Sequence, residues 1–259
     1  MKKGIVVVSF GTSFEETRRL CIESIESKIR KGFSEYQVER AFTSQMVINK
    51  LRKRDGILVN NVTEALQKMK QEGINEIFLQ SLHIIPGHEY NKLLRQVELF
   101  IEKNNDIAMH VGKPLLYDDV DYEKVVKSIE IKNLNHNEAV VFMGHGTDHS
   151  SDNSYDLLEK HFRKEYSDNI FIGTVEGSTT LEHLIPKLLE KRIAKVKLMP
   201  FMLVAGDHAI NDMAGDEDDS WKNKLISNDF KVEIDLRGLG ENIKIQDIFV
   251  SHLKDTINN

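Results

Sequence analysis

The chain of 259 residues contains a single cysteine, Cys21, four prolines and one tryptophan. One thiol excludes a disulfide framework and a thiolate-held metal cluster. Cys21 sits in Arg19-Leu20-Cys21-Ile22, on the apolar stripe of a helical stretch, where a thiol serves as a small hydrophobe. So few prolines, with no polar tract, leave little room for a disordered arm or a long linker. A basic excess is also missing: 35 Lys and Arg stand against 41 Asp and Glu, a net charge of -6. A nucleic-acid-binding surface would show the opposite balance or a clustered Lys/Arg stripe. No apolar run approaches the ~20 residues needed to cross a bilayer. The segment Ile5-Val6-Val7-Val8 ends in Ser9-Phe10-Gly11-Thr12 without a cleavage-site pattern, so it reads as a buried first strand and not as a secretion signal. Together these absences predict a soluble cytoplasmic protein with neither a membrane nor a nucleic acid as partner.

What remains is ordinary globular material, 40% hydrophobic and 29% charged, long enough for one large domain or two small ones. Strand and helix signals alternate. The patterning predicts strands over 4–10, 37–42, 76–82 and 107–111, with helices over 14–30, 45–54, 62–71, 89–103 and 121–129. The sequence then restarts, with strands over 139–143, 170–174, 196–199 and 231–236 and helices over 152–163, 181–192, 221–226 and 246–256. Such alternation implies parallel sheets covered by helices on both faces.

The halves also resemble each other. Val7-Val8-Ser9-Phe10-Gly11-Thr12-Ser13 lies on Phe142-Met143-Gly144-His145-Gly146-Thr147-Asp148, and the segment 77–87 lies on 196–206. Phe42-Thr43-Ser44 matches Glu176-Gly177-Ser178. We therefore expect a duplicated α/β protein of two Rossmann-like lobes, 1–130 and 131–259. Ligands bind beyond the carboxyl ends of parallel strands, so loops after the strands carry the interest, and two facing lobes would form one cleft.

Three residues with metal-binding side chains follow successive strands of the second half. His145 lies between Gly144 and Gly146, Glu176 precedes Gly177, and His208 lies in Ala205-Gly206-Asp207-His208. Two imidazoles and a carboxylate suit borderline divalent cations, and three protein ligands keep positions open for a metal in transit. The alternative is three hydrogen-bonded structural residues, since spacing supplies no distances. His149, four residues after His145, falls in a loop where that spacing pairs nothing. His83 and His88 flank a strand end of the first half and can face the same cleft, while the other histidines read as packing or surface residues. The loop Ser9-Phe10-Gly11-Thr12-Ser13 matches no nucleotide fingerprint. Thr12 or Ser13 caps the following helix, with Glu16 completing a capping box; its amides and hydroxyls can also meet a substrate carboxylate. The acidic run Asp216-Glu217-Asp218-Asp219 reads as a solvated loop.

The segments 8–13, Gln80-Ser81-Leu82-His83-Ile84-Ile85, Gly144-His145-Gly146-Thr147, Thr174-Val175-Glu176-Gly177 and 201–213 resemble, over essentially the whole chain, the anaerobic sirohydrochlorin cobaltochelatase family of the CbiK type. The resemblance implies the class II chelatase fold and an ATP-independent lyase that inserts Co²⁺ into sirohydrochlorin on the oxygen-independent route to cobalamin. It makes His145, Glu176 and His208 the metal ligands and His145 and Glu176 the catalytic pair. Two pyrrole protons leave as the metal enters, and a neutral imidazole can take one. Ser9, Phe10, Gly11, Thr12, Ser81, Leu82 and His83 are the expected contacts to the tetrapyrrole. No organic cofactor is required; Co²⁺ is the substrate metal, with Fe²⁺ or Ni²⁺ accepted in vitro, and a homo-oligomer is allowed. The competing readings are a sirohydrochlorin ferrochelatase for sirohaem, a non-catalytic tetrapyrrole or metal carrier, and a binding protein for a small anion.

Overall fold

The computed structural model describes residues 2–258. In chain order its elements are β1 (Lys3–Ser9), α1 (Glu15–Thr17) running through a π-helical segment (Arg18–Glu23) into α2 (Ser24–Gly32), β2 (Gln37–Phe42), α3 (Gln45–Asp55), β3 (Asn60–Asn61), α4 (Val62–Gln71), β4 (Glu76–Ser81), α5 (His88–Lys103) and β5 (Ala108–Val111). Then follow α6 (Asp119–Ser128), β6 (Glu138–Gly144), α7 (Asn153–Glu165), β7 (Ile170–Thr174), α8 (Leu181–Glu190), β8 (Lys195–Pro200), a second π-helical turn (Ala209–Met213), α9 (Trp221–Ile226), β9 (Lys231–Ile234) and α10 (Ile243–Asn258). The α/β class and the expected strands and long helices are all present.

The chain forms two compact units. The first holds the residues up to Tyr117 together with α10; the second is Asp118–Asn242. This differs from the expected division at 130/131, for two physical reasons. Helix α6 packs on α7, with the Tyr122 ring stacked on His161 at 5.4 Å. At its end Tyr166 Oη donates to the Ile129 carbonyl at 2.8 Å and Asn242 Nδ2 to that of Ser128 at 2.8 Å. Helix α10 packs on β4 and α2, burying Ile245, Phe249 and Leu253. Each such side chain contributes roughly 1.5–3 kcal/mol when fully covered.

Both sheets are entirely parallel. Strand order is β3-β2-β1-β4-β5 in the first unit and β7-β6-β8-β9 in the second. In each, the founding strand, β1 or β6, lies between the next two main strands, which creates a switch point at its carboxyl end. The founding strands are apolar on both faces, as helix-covered parallel strands must be: Ile5 through Val8 and Ala139 through Met143 are at most 2% exposed. In the second unit one face of the sheet packs Val141, Leu184, Leu198 and Trp221. The other seats Phe142 against Phe162, with ring centroids 4.8 Å apart, and against Phe201 at 5.9 Å.

The duplication extends to single hydrogen bonds. Leu82 N donates to Val8 O in the first unit, as Phe201 N donates to Met143 O in the second. Leu116 N to Ile84 O is repeated by Gly240 N to Leu203 O. Gly11 and Gly146 both have positive φ, 93° and 78°. One expected match shifts. Thr43 N and Ser44 N donate to Ser9 O and Phe10 O, whereas Val175 N and Glu176 N donate to Gly144 O and His145 O. Phe42-Thr43-Ser44 thus corresponds to Thr174-Val175-Glu176, two residues from the alignment read off the sequence, because the strand pairings Ser9 with Phe42 and Gly144 with Thr174 set the register. Phe10, Ser44 and Glu89 consequently occupy the first unit's counterparts of His145, Glu176 and His208.

Candidate metal centre

Strand β6 ends at Gly144, and the chain turns at once: Gly146 adopts φ +78°, a region open to glycine at little cost. Its neighbour His145 is thereby turned out of the sheet, and its side chain is 48% exposed. Beyond β7, Thr174 N and Oγ1 both donate to Thr179 O, at 2.7 and 3.1 Å, closing a loop that presents Glu176. Glu176 N donates to His145 O at 2.8 Å, so backbone pairing continues one step past the strands and sets these two residues side by side. Beyond β8 the chain reaches His208, immediately before the π-helical turn Ala209–Met213; such turns recur at functional sites.

The three side chains converge. One donor atom from each of His145, Glu176 and His208 lies within 4.8 Å of the other two. His145 Nδ1 is 3.7 Å from Glu176 Oε2, and the two imidazole centroids are 4.8 Å apart and nearly perpendicular. Ligands around one ion at bond lengths near 2.1 Å would be about 3.4 Å apart. The gap is small for His145 and Glu176, whose side chains are 48% and 60% exposed and can rotate toward the more fixed His208 at the expense of rotamer freedom.

Hydrogen bonding selects the imidazole nitrogen available to a metal. His145 Nδ1 is 3.1 Å from the Gly146 carbonyl, which can only accept, so Nδ1 carries the proton and Nε2 keeps its lone pair. His208 Nδ1 is 2.5 Å from Asp212 Oδ2, with the same consequence. A carboxylate behind a metal-binding histidine fixes its tautomer and strengthens it as a donor. Glu176 and Asp212 together place two negative charges beside the imidazoles, which balances a dication.

Sequence reasoning missed Asp212 and also Asp152. The first signals itself only by its i, i+4 spacing from His208, and that presupposes helix-like geometry at 208–213. Asp152 has no local signal, because its partners lie in the loops after two different strands: Oδ1 accepts from Thr147 N at 3.2 Å, and Oδ2 from Ser178 N and Oγ, both at 2.8 Å. Tyr155, whose OH accepts from Gly146 N at 3.4 Å, lies beneath the same loop, with burial pushing its phenol up to about 12. His149 is outside the cluster; its Nδ1 accepts from Ser151 N at 3.1 Å. Lys222 pairs with Asp216 of the acidic run at 2.7 Å.

The expected tetrapyrrole contacts lie at the carboxyl edge of the first sheet. Of the seven, only Phe10 presents its side chain to solvent, at 45% exposure; Ser9, Thr12, Ser81, Leu82 and His83 are buried. The capping box expected from Ser13 and Glu16 does not form. Thr12 Oγ1 instead accepts from Phe14 N at 3.2 Å, and α1 starts without a side-chain cap, since it does not begin until Glu15.

His83 Nδ1 is 2.8 Å from Ser81 Oγ, and its Nε2 is covered without a protein partner. Burial lowers its pKa from 6.5 to about 4, outweighing Glu89, which raises it; Lys92 lowers it further. With its folded pKa depressed, His83 binds protons more readily in the unfolded chain. The associated stability is therefore fully present above pH ~6.5 and is lost as the pH falls toward ~4. His83→Gln should flatten the pH dependence of the melting temperature across that window, measured by circular dichroism between pH 4 and 7. An unchanged slope would refute the assignment.

The match to the family model described as "Cobalt chelatase (CbiK)" runs over residues 3–258. The chain belongs to the CbiK cobalt chelatase family. A Salmonella typhimurium protein named sirohydrochlorin cobaltochelatase is 40% identical over 260 residues, covering 100% of this chain and 97% of the relative. Sirohydrochlorin cobaltochelatase CbiKC of Nitratidesulfovibrio vulgaris is 37% identical over 266 residues, covering 97% and 89%. Among solved structures, the sirohydrochlorin chelatase SirB of Bacillus subtilis subspecies spizizenii, in complex with cobalt, superposes with a TM-score of 0.69 at 14% identity, covering 100% and 97% of the two chains. That likeness establishes the chelatase fold, two parallel α/β units, for this member of the CbiK family.

Proposed function

We propose that the chain is an ATP-independent sirohydrochlorin cobaltochelatase, inserting Co²⁺ into sirohydrochlorin on the anaerobic route to cobalamin. The observation that carries this reading is the convergence of His145, Glu176 and His208 within 4.8 Å, in a chain matched over residues 3–258 to a cobalt chelatase family. An imidazole pair with one carboxylate accepts Co²⁺, Fe²⁺ and Ni²⁺ alike, so the choice of cobalt rests on the family and its two named relatives.

In this reading the two Nε2 lone pairs and the Glu176 carboxylate hold the incoming dication while other coordination positions stay open. Two pyrrole N–H protons must leave as the macrocycle nitrogens take over. His145 is the acceptor for one of them once its nitrogen is freed, and Glu176 lowers the net charge of the bound cation and passes a proton to solvent. At the first unit's carboxyl edge, the exposed Phe10 ring offers a flat apolar surface to a macrocycle. Nothing in this scheme calls on an organic cofactor, and we place the reaction in the cytoplasm.

The test is anaerobic mixing of the purified protein with excess sirohydrochlorin and Co²⁺, followed by absorbance. The expected result is many equivalents of metallated product per protein, faster than the uncatalysed reaction. Conversion that stops at one equivalent would identify a carrier, and a clear preference for Fe²⁺ at equal free metal would identify a ferrochelatase.

A further inference from the structure

Asp152 stands at the start of α7, where a carboxylate ordinarily accepts from the first free amides of its own helix. It makes no such side-chain bond. Both of its oxygens are directed elsewhere. Oδ1 accepts from Thr147 N, two residues after His145, and Oδ2 accepts from the amide and hydroxyl of Ser178, two residues after Glu176. One carboxylate thus ties together the loops that follow two different strands, and each loop carries one member of the metal-binding trio.

The packing around it is tight enough for this tie to set a distance. A Cβ on Gly177 would come within 2.4 Å of Asp152 Oδ1 and 2.5 Å of Thr174 Oγ1. A Cβ on Gly146 would meet Gly177 N at 2.3 Å. The two loops therefore touch backbone to backbone, with the carboxylate against one side of the contact. The side chains of His145 and Glu176 are 48% and 60% exposed and lie 3.7 Å apart, Nδ1 to Oε2. Their separation is governed from below, by Glu176 N bonding to His145 O and by the Asp152 tie. A charged acceptor binding three donors is a stronger fastener than a neutral one.

We infer that Asp152 is a positioning residue for metal capture: it holds the His145 and Glu176 loops at the spacing from which both side chains reach one cation. The inference rests on the proposed role of the trio in binding Co²⁺. Asp152 is not one of the three clustered residues. It acts through Thr147 and Ser178.

The experiment is titration of the full chain with Co²⁺ alone, reading the visible d–d spectrum and the dissociation constant, with a thermal melt of each metal-free variant. Asp152→Asn keeps the volume but turns one acceptor into a donor that faces N–H groups. It should weaken Co²⁺ binding about tenfold, the scale of outer-shell losses at metal sites, and alter the d–d band. In turnover its KM for Co²⁺ should rise more than kcat falls. Ser178→Ala, which removes only the hydroxyl bond, should lie between wild type and Asp152→Asn, and it decides the matter if Asp152→Asn does not fold. A folded Asp152→Asn with wild-type affinity and spectrum would overturn the inference, as would an Asp152→Asn that does not fold together with a Ser178→Ala indistinguishable from wild type. His208→Ala separates the two levels of argument. If it too binds Co²⁺ normally, the metal assignment of the trio fails; if it loses binding while the Asp152 and Ser178 variants do not, only the positioning role fails.

Discussion

Replacing His145 by alanine is expected to cut cobalt insertion on the order of a thousandfold, within the range lost when a positioned proton acceptor is removed. The loss should be larger than for a simple ligand, because the same ring is assigned two tasks, holding the cation and accepting a pyrrole proton. Stability should hardly move. The side chain is 48% exposed, and among the described residues its one hydrogen bond is to the adjacent Gly146 carbonyl. Substitutions at such sites usually shift stability by about 0.5 kcal/mol or less. The check is the anaerobic insertion rate, corrected for the uncatalysed reaction, beside a thermal melt. A variant that melts as wild type yet retains its rate within an order of magnitude would remove His145 from the mechanism.

The second large effect belongs to a residue with no side chain. Gly146→Ala faces two independent penalties. Its φ of +78° is a left-handed conformation, which costs an alanine roughly 1–2 kcal/mol. The added Cβ would also lie 2.3 Å from Gly177 N and 2.7 Å from Thr174 Cβ. One of these is a backbone atom that no rotamer change can move. Relief requires the loops after β6 and β7 to separate, so stability and metal binding should fall together, by about 3 kcal/mol or more for the fold. Gly32→Ala is the matched control: a Cβ there has nothing within 4 Å. Differential scanning calorimetry and Co²⁺ titration of the two variants make the comparison. Equal behaviour of the two would show that the loop contact tolerates expansion and that the close approach of the two backbones is not a constraint.

His145 and Gly146 stand out in the sequence alone, whereas other residues of the site do not. β-branched runs such as Ile5–Val8 and Ala139–Met143 announce two-face burial directly, so the parallel sheets and the order of elements could be read. His145, Glu176 and His208 could be read because strand mouths are marked by where apolar runs stop and glycines begin. Their convergence could not, because it depends on which strands are neighbours: β7 and β8 flank β6 only by virtue of the sheet order. The same dependence hid Asp152, whose partners lie 5 and 26 residues away. It also displaced one segment of the internal alignment by two residues, since strand register is a hydrogen-bonding property that short apolar words do not encode. Asp212 was in view but unused, because an i, i+4 pair means contact only where the backbone is helical. The division of the compact units after Tyr117 and Asn242, in place of 130/131, is hidden for a related reason: α6 and α10 are ordinary amphipathic helices, and nothing in their composition says which sheet they cover.

The placement of α10 bears on how the protein is made. The first unit is discontinuous: its sheet is encoded before Tyr117, but the helix that seals β4 is encoded after Asn242. At about 5–20 residues per second, on the order of ten seconds of synthesis separate the two. During that interval the first sheet is without the helix that covers β4, while the second unit is being synthesised as one contiguous stretch. The first unit therefore cannot be completed until the second has been synthesised, a departure from the usual amino-to-carboxyl order of domain folding.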